Sequence, residues 1–194
     1  MSAPAQPVGR PGGRTARNRR AVLDAVADLL LEAGYDGLTI DAVAARSGVH
    51  RTTVYRRWRD TGGLLADALD AAREVPWEPP DTGSLAGDLT EINRQIVAAL
   101  TEEPSITAAL IAASFRSPAA AAALRSFWED RYAIAAIVVE RVAPGVPARP
   151  VLLASCAPVF YELVLLRGPA PGDELAERYA RLAAASVSRS GAAP

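Results

Sequence analysis

The chain has 194 residues, enough for one domain or for a small domain joined to a larger one, with a proper buried core. Half of the residues are hydrophobic and only 6% aromatic, and alanine abounds while β-branched runs are scarce, so the expected fold class is all-α. The net charge of −1 argues against a nucleic-acid partner until its distribution is read: residues 1–60 carry ten arginines against six acids, the remainder eleven against sixteen. A basic N-terminal third on an acidic body suits a DNA reader joined to a separate second module. All 21 basic residues are arginine, which is compositional background. The single Cys156 rules out an intramolecular disulfide and a cysteine-based metal cluster, and no apolar leader follows the first charges. The longest largely apolar run, Val151–Leu166, has 16 residues and contains Pro158 and Glu162, too short and interrupted for a membrane span. The expectation is a soluble cytoplasmic protein with no membrane contact, no metal and no cofactor.

Residues 1–13, rich in Pro, Gly and Ala, read as a disordered tail. Arg14, Arg17, Arg19 and Arg20 then lead the first helix, a cluster that suits phosphates or, alternatively, a solvated arm. Helix 1 is expected from about Thr15 to Ala33, with Val22, Val26, Leu29, Leu30 and Ala33 as its buried stripe and Gly34 as C-cap. In the stretch Thr39–Arg59, Ile40, Val43 and Ala44 form one apolar stripe, and Val49, Val54 and Trp58 form a second. Gly48 stands between them, able to take the positive φ of a tight turn. Two short helices meeting at such a turn make a helix-turn-helix. The second helix keeps Arg51, Thr52, Tyr55, Arg56 and Arg59 free to face outward, a set suited to a major groove and its flanking phosphates.

With Gly34, Thr39, Ile40, Val43, Ala44, Gly48, Val49, Tyr55 and Trp58 in this spacing, residues 15–65 resemble the DNA-binding domain of the TetR family of transcriptional regulators. The resemblance implies that Thr39, besides capping helix 2, meets a phosphate. His50 departs from the family, which has a small N-cap such as serine there; it reads as a substitute cap or a phosphate contact. Asp60 is a good N-cap for helix 4. One residue later, where family members commonly place a phosphate-binding lysine, stands Thr61, followed by Gly62-Gly63; helix 4 is expected to start less firmly, with Thr61, Arg59 or the helix amides taking over the phosphate.

The expected organisation is a 1–13 tail, a 14–59 helix-turn-helix domain, a 60–75 linking helix, a 76–83 proline-rich joint and an 84–190 helical effector-binding and dimerisation domain, about nine helices in all. PDTGSLAGDL at the joint resembles the opening of one C-terminal subclass of the same family. Beyond it, Leu85, Leu89, Ile92, Ile96 and Leu100 line helix 5, Ile106, Leu110 and Ala113 line helix 6, and Ser117-Pro118 starts a long helix 7. Helix 8, about Pro150–Leu166, is apolar nearly all round and kinked by Pro158; helix 9 repeats Leu175, Tyr179, Leu182 and Ser186. A helix apolar on all sides is either fully internal or covered by a second copy. The family resemblance favours a homodimer through helices near 150–167 and 173–189, reading a palindromic operator in double-stranded DNA.

The resemblance further implies a small-molecule effector pocket, for which Phe115, Trp128, Tyr132 and Phe160 are the aromatic candidates and Arg131 or Glu162 the polar ones; the same aromatics also read as plain core. On DNA, Arg51 and Arg56 are assigned to base edges and Thr52 to a base or a phosphate. Thr39, Thr53, Tyr55 and Arg57 are assigned to the backbone, with Arg14 and Arg17 adding sequence-independent attraction. The reading is a ligand-responsive repressor. Its rivals are an activator or architectural DNA binder, an all-helical enzyme, for which one His and one Cys supply no catalytic pair, and a redox sensor built on Cys156.

Overall fold

The computed structural model describes residues 12–168 and 172–190. Its elements are α1 (Gly12–Gly37), α2 (Ile40–Ser47), α3 (Arg51–Trp58), α4 (Thr61–Arg73), α5 (Leu85–Thr101), α6 (Ile106–Ser114), α7 (Pro118–Glu140), α8 (Ala148–Phe160), a π-helical turn (Tyr161–Leu165) and α9 (Asp173–Ser190). Among the described residues there is no strand. Residues 1–11 of the expected tail lie outside them, and Gly12 and Gly13 already belong to α1. Gly34 interrupts α1 as expected of a C-cap, at φ 64° and ψ −166°, and residues 35–37 add a separate short turn before α2.

Capping side chains account for most helix starts. Thr39, Asp60, Ser84, Ser105 and Ser117 each accept a hydrogen bond from a backbone N–H of the first turn that follows, satisfying a donor the helix cannot pair internally. Pro118 takes the first helical position of α7, where a missing N–H costs nothing. The TGSLAGD segment works as a double cap. While Ser84 accepts from the Gly87 N–H, the carboxylate of Asp88, 2% exposed, accepts from both the backbone N–H (2.6 Å) and the hydroxyl (2.8 Å) of Thr82.

Two apolar cores follow from these helices. The first joins Val22, Val26 and Leu30 of α1 to Val43, Val49, Val54 and Trp58 of the helix-turn-helix and to Leu64 and Leu65 of α4. It also takes in Ala113 of α6 and Ala120 of α7, with Ile106, Ala109 and Leu110 packed against it, so α6 closes the N-terminal core from across the proline-rich joint. The second core gathers Leu85, Leu89 and Ile92 of α5, Ala135, Val138 and Val139 of α7, Val151, Leu152 and Cys156 of α8, and Ala180, Ala183 and Val187 of α9.

Three details depart from the sequence expectation. Proline at 158 removes one amide, and the helix shifts register: Leu166 N–H bonds the Tyr161 carbonyl at 2.9 Å, five residues back, making a π turn rather than a simple kink. The buried stripe of α9 is Leu175, Ala176, Ala180, Ala183 and Val187, whereas Leu182 is 58% exposed, so two faces of this helix are apolar and the alanine-rich one is inside. The stretch Ala148–Leu165, 18 residues at a mean hydropathy of 1.4, is by length and composition long enough to cross a membrane. Its inner face, through Val151, Leu152 and Cys156, belongs to the second core, as a core helix of an all-α protein would, yet only 28% of the stretch is buried.

Gly62 and Gly63 also behave differently from the expectation of a loosened helix start. Gly62 is buried where a Cβ would press on the Ser117 hydroxyl at 2.6 Å, and a Cβ at Gly63 would collide with the Trp58 carbonyl oxygen. The absent side chains let α4 start hard against the end of α3 and the cap of α7. Gly63→Ala should therefore destabilise the fold by about 2 kcal/mol despite alanine's better helix propensity, measured as a lower urea midpoint at unchanged m-value.

Candidate DNA interface and effector cavity

The helix-turn-helix is built from its caps inward. Gly48 ends α2 in the left-handed conformation, φ 67° and ψ 10°, and Val49 turns into the core at 8% exposure. His50 caps α3: its Nδ1 accepts from the Thr52 N–H at 3.4 Å and lies 2.9 Å from the Thr52 hydroxyl. The substitute-cap reading of His50 is the one these contacts fit. Val54 and Trp58 anchor the inner face of α3, and Arg51, Thr52, Tyr55, Arg56, Arg57 and Arg59 are exposed around the rest, with Thr53 half-buried. Tyr55 stands 59% exposed.

The cations on this surface are not equivalent. Arg51 is ion-paired with Asp41 of α2. Arg57 lies over the Trp58 ring at 5.2 Å and 3.9 Å from Asp67. Arg56 and Arg59 have neither an acidic nor an aromatic partner among the described residues. Arg59 also closes α3 at φ 61°, rare for a residue with a Cβ, and is held there by its N–H on the Tyr55 carbonyl at 2.9 Å. Thr39 is exposed while its oxygen caps Ala42 N–H at 3.1 Å. Arg14 and Arg17 are exposed on the first turns of α1, Arg17 bonding the Gly13 carbonyl at 3.1 Å. Two expectations need correction. Thr61 is half-buried and its hydroxyl donates to the Leu38 carbonyl at 3.4 Å, so it ties the start of α4 to the α1–α2 connection rather than presenting a free hydroxyl. Arg19 and Arg20 are intramolecular ion-pair partners, of Asp67 and Asp24 respectively.

Behind α3 lies a polar clamp that sequence reasoning missed. The Asp67 carboxylate on α4 accepts from Trp58 Nε1 at 2.7 Å and from Arg19 Nε and Nη2 at 3.0 and 2.7 Å, tying α1, α3 and α4 at one point. Burial pushes the Asp67 carboxyl up, but the hydrogen bonds from Arg19 and Trp58 outweigh it, and its pKa lies below the usual aspartate value. The bonds Arg19 makes to Asp67 and to Glu74 raise its own pKa. Farther along α4, Arg73 Nε donates to Asp130 of α7 at 2.6 Å.

Two cavities open beside α7 and α8. The inner one, about 240 Å³, is lined by the buried Ile92, Ala135, Leu152 and Cys156 together with Trp77, Gln95, Thr107, Phe127, Trp128, Arg131, Tyr132 and Phe160, among others. Phe127 and Phe160 meet Trp128 edge-on, each 5.0 Å away between centroids. The outer one, about 930 Å³, is an open groove along Leu153, Ala154, Ala157, Tyr161 and Leu165, sharing Trp128, Tyr132 and Phe160 as its floor. The structure thus brings together Trp128, Arg131, Tyr132 and Phe160. It does not bring Phe115, which ends α6 at 78% exposure, far too open for a pocket wall. Glu162 lines neither cavity; it sits in the π turn, its carbonyl accepting from Gly168 N–H at 3.1 Å. Trp77, from the proline-rich joint, and Phe127, beside Trp128, were visible as aromatics but carried no signal of cavity placement. Burial drives the Cys156 thiol up to about 12, which keeps it protonated and removes the thiolate a redox sensor needs. No group of three or more metal-ligating side chains occurs among the described residues.

Comparison with known proteins agrees with this geometry. The family model "Bacterial regulatory proteins, tetR family" matches residues 22–68, and "Tetracyclin repressor-like, C-terminal domain" matches residues 79–183. The HTH-type transcriptional regulator AqdR of Rhodococcus erythropolis is 36% identical over 130 residues, 66% of this chain. That match spans 62% of AqdR's own length. Among solved structures, a TetR transcriptional regulator from Agrobacterium tumefaciens shares the fold with a TM-score of 0.65 at 20% identity, covering 86% of this chain and 92% of that one. NalD, the secondary repressor of the MexAB-OprM multidrug efflux pump in Pseudomonas aeruginosa, superposes with a TM-score of 0.56 at 19% identity, covering 90% and 96%.

The clamp has a pH signature. Because the folded-state pKa of Asp67 is depressed, its contribution to stability is present above the ordinary aspartate value of about 3.9 and is lost as pH falls through the folded value. Asp67→Asn should cost about 2 kcal/mol at neutral pH and flatten the loss of stability below about pH 4, followed by urea denaturation across the acid range.

Proposed function

The chain belongs to the TetR family of bacterial transcriptional regulators, and from that premise we propose that it is a homodimeric repressor, released from a palindromic operator by a small molecule bound in the inner cavity. The observation that carries the DNA half is the division of α3: Val54 and Trp58 are locked to the body, while the side chains of Tyr55, Arg56 and Arg59 stand exposed with no side-chain partner among the described residues. On B-DNA the Arg56 guanidinium suits the O6 and N7 of a guanine, with Arg51 as a second base reader and Thr52 at a base or phosphate. Thr39, Thr53, Tyr55, Arg57 and Arg59 hold the helix on the backbone, and Arg14 and Arg17 add charge alone. His50, committed to its cap, contributes through the start of α3.

The two-fold partner is a second copy. In the π turn after α8 and its cap, Tyr161, Leu165 and Leu166 are 52–66% exposed, and Leu182 of α9 adds 58%. Such a strip of large apolar side chains on two adjacent helices suits an isologous contact. That contact would also cover the outer groove. Release needs a link from the body to the reading head, and α4 supplies it. Arg73 fixes one end of α4 to Asp130 on α7, and Asp67 fixes the other region to Trp58 on α3. A ligand that favours a different setting of α7 therefore shifts the separation of the two α3 helices, provided its affinity differs between the two states.

The test is binding of the purified chain to fragments from around its own gene, read by fluorescence anisotropy over a salt series. Arg56→Ala should weaken binding to the cognate fragment by about 5- to 150-fold and relax discrimination at one base pair per half-site, whereas Tyr55→Ala should weaken all sequences alike. Equal loss on every sequence with Arg56→Ala would remove it from base reading. In a promoter fusion, a fall in expression on deleting the protein would make it an activator.

A further inference from the structure

We propose that the effector is an amphipathic anion, an apolar or aromatic body bearing one carboxylate-like group that pairs with Arg131. This inference rests on the reading of the inner cavity as the effector site. Every side chain lining that cavity is apolar or neutral except Arg131. Gln95 spends its carbonyl oxygen on Trp77 Nε1 at 2.9 Å, and the Tyr132 phenol and Cys156 thiol are both pushed up by burial and stay protonated at neutral pH. Arg131 itself has no carboxylate within ion-pair distance among the described residues. Its sequence neighbour Asp130 is otherwise engaged, accepting from Arg73 at 2.6 Å. The adjacent Glu129 lines the outer groove instead.

A partly buried cation without a counter-charge is a costly arrangement, and the rings around it show how it is kept. The guanidinium lies over Trp77 at 5.4 Å and Phe127 at 5.1 Å. Ring faces satisfy the face of a guanidinium and leave its N–H edge for an in-plane acceptor, the geometry that suits a bidentate carboxylate. Burial lowers the Arg131 pKa, as it must for a cation waiting on an anion. The rest of the lining, with Trp128 and Phe160 edge-on, accepts a flat apolar body. A cationic ligand would meet Arg131 with no acid to offset it. The bond is an exchange of solvent for an ion pair and involves no covalent step.

The probe is a matched panel of aryl and arylalkyl carboxylates (benzoate, 2-naphthoate, 4-phenylbutyrate) and their primary amides, titrated into the full chain by tryptophan fluorescence. Two of the three tryptophans, Trp77 and Trp128, line the cavity while Trp58 lies in the other core, so quenching should survive Trp58→Phe. At least one carboxylate should bind ten-fold or more tightly than its amide. Arg131→Gln should abolish that preference and Arg131→Lys retain part of it. Amides binding as tightly as carboxylates, a preference that survives Arg131→Gln, or no carboxylate binding at all would overturn the proposal; the wild-type comparison stands even if a variant fails to fold. Adding operator DNA separates the two readings. An amide that releases DNA while its carboxylate does not overturns the anionic class and leaves the regulated repressor. A carboxylate that binds through Arg131 without altering DNA affinity upholds the site and sinks ligand release.

Discussion

The Asp67 carboxylate is the point on which the reading head depends. It is held by an indole N–H from α3 and a guanidinium from α1, and it belongs to α4, so three helices meet at one acceptor group. An apolar contact would hold these helices together without fixing their angle. Short charge-assisted hydrogen bonds fix both distance and direction, and their removal leaves a half-buried polar group to be paid for by the whole fold. The orientation of α3, and with it the direction of the exposed Arg56, is therefore set from behind by a residue of α4.

The same helix carries the connection outward. Gly62 and Gly63 let α4 begin in contact with Trp58 and Ser117, and Arg73 ends it on Asp130. Its neighbour Arg131 lines the cavity, so the proposed ligand would act on the same turn of α7 that holds α4. Rigid packing at both ends suits a lever, because slack at either would absorb a small displacement before it reached the helix that reads DNA.

Much of this was legible in the residues, and the reasons for the rest are physical. Caps announce themselves locally: Thr39, Gly48, Asp60 and Ser117-Pro118 act through the chain within a few residues, so a linear reading finds them. Which face of a helix lies inside is a global property. In α9 the bulkier Leu182 faces out and Ala176, Ala180 and Ala183 face in, because α9 packs closely on α5 and α8, and a hydrophobicity pattern ranks the two faces the wrong way. Phe115 failed as a pocket residue for a similar reason: helical spacing carried it to the end of α6, where the chain turns away. Pro158 signalled a break but not the five-residue register of the turn that follows. The Asp67 clamp had no linear signature at all, since its partners lie 9 and 48 residues away.

The place of α6 limits how the molecule can be taken apart. By chain order the reading head ends before the proline-rich joint, yet Ala113, Ala120 and the partly buried Ile106, Ala109 and Leu110 close the core that α1 to α4 begin. A chimera spliced at the joint would carry a head with one wall missing and would lend its DNA specificity poorly to a foreign body. A graft that swaps operator preference between such proteins has to cross the joint and carry the chain through the first turn of α7, or leave the scaffold alone and exchange only the exposed side chains of α3.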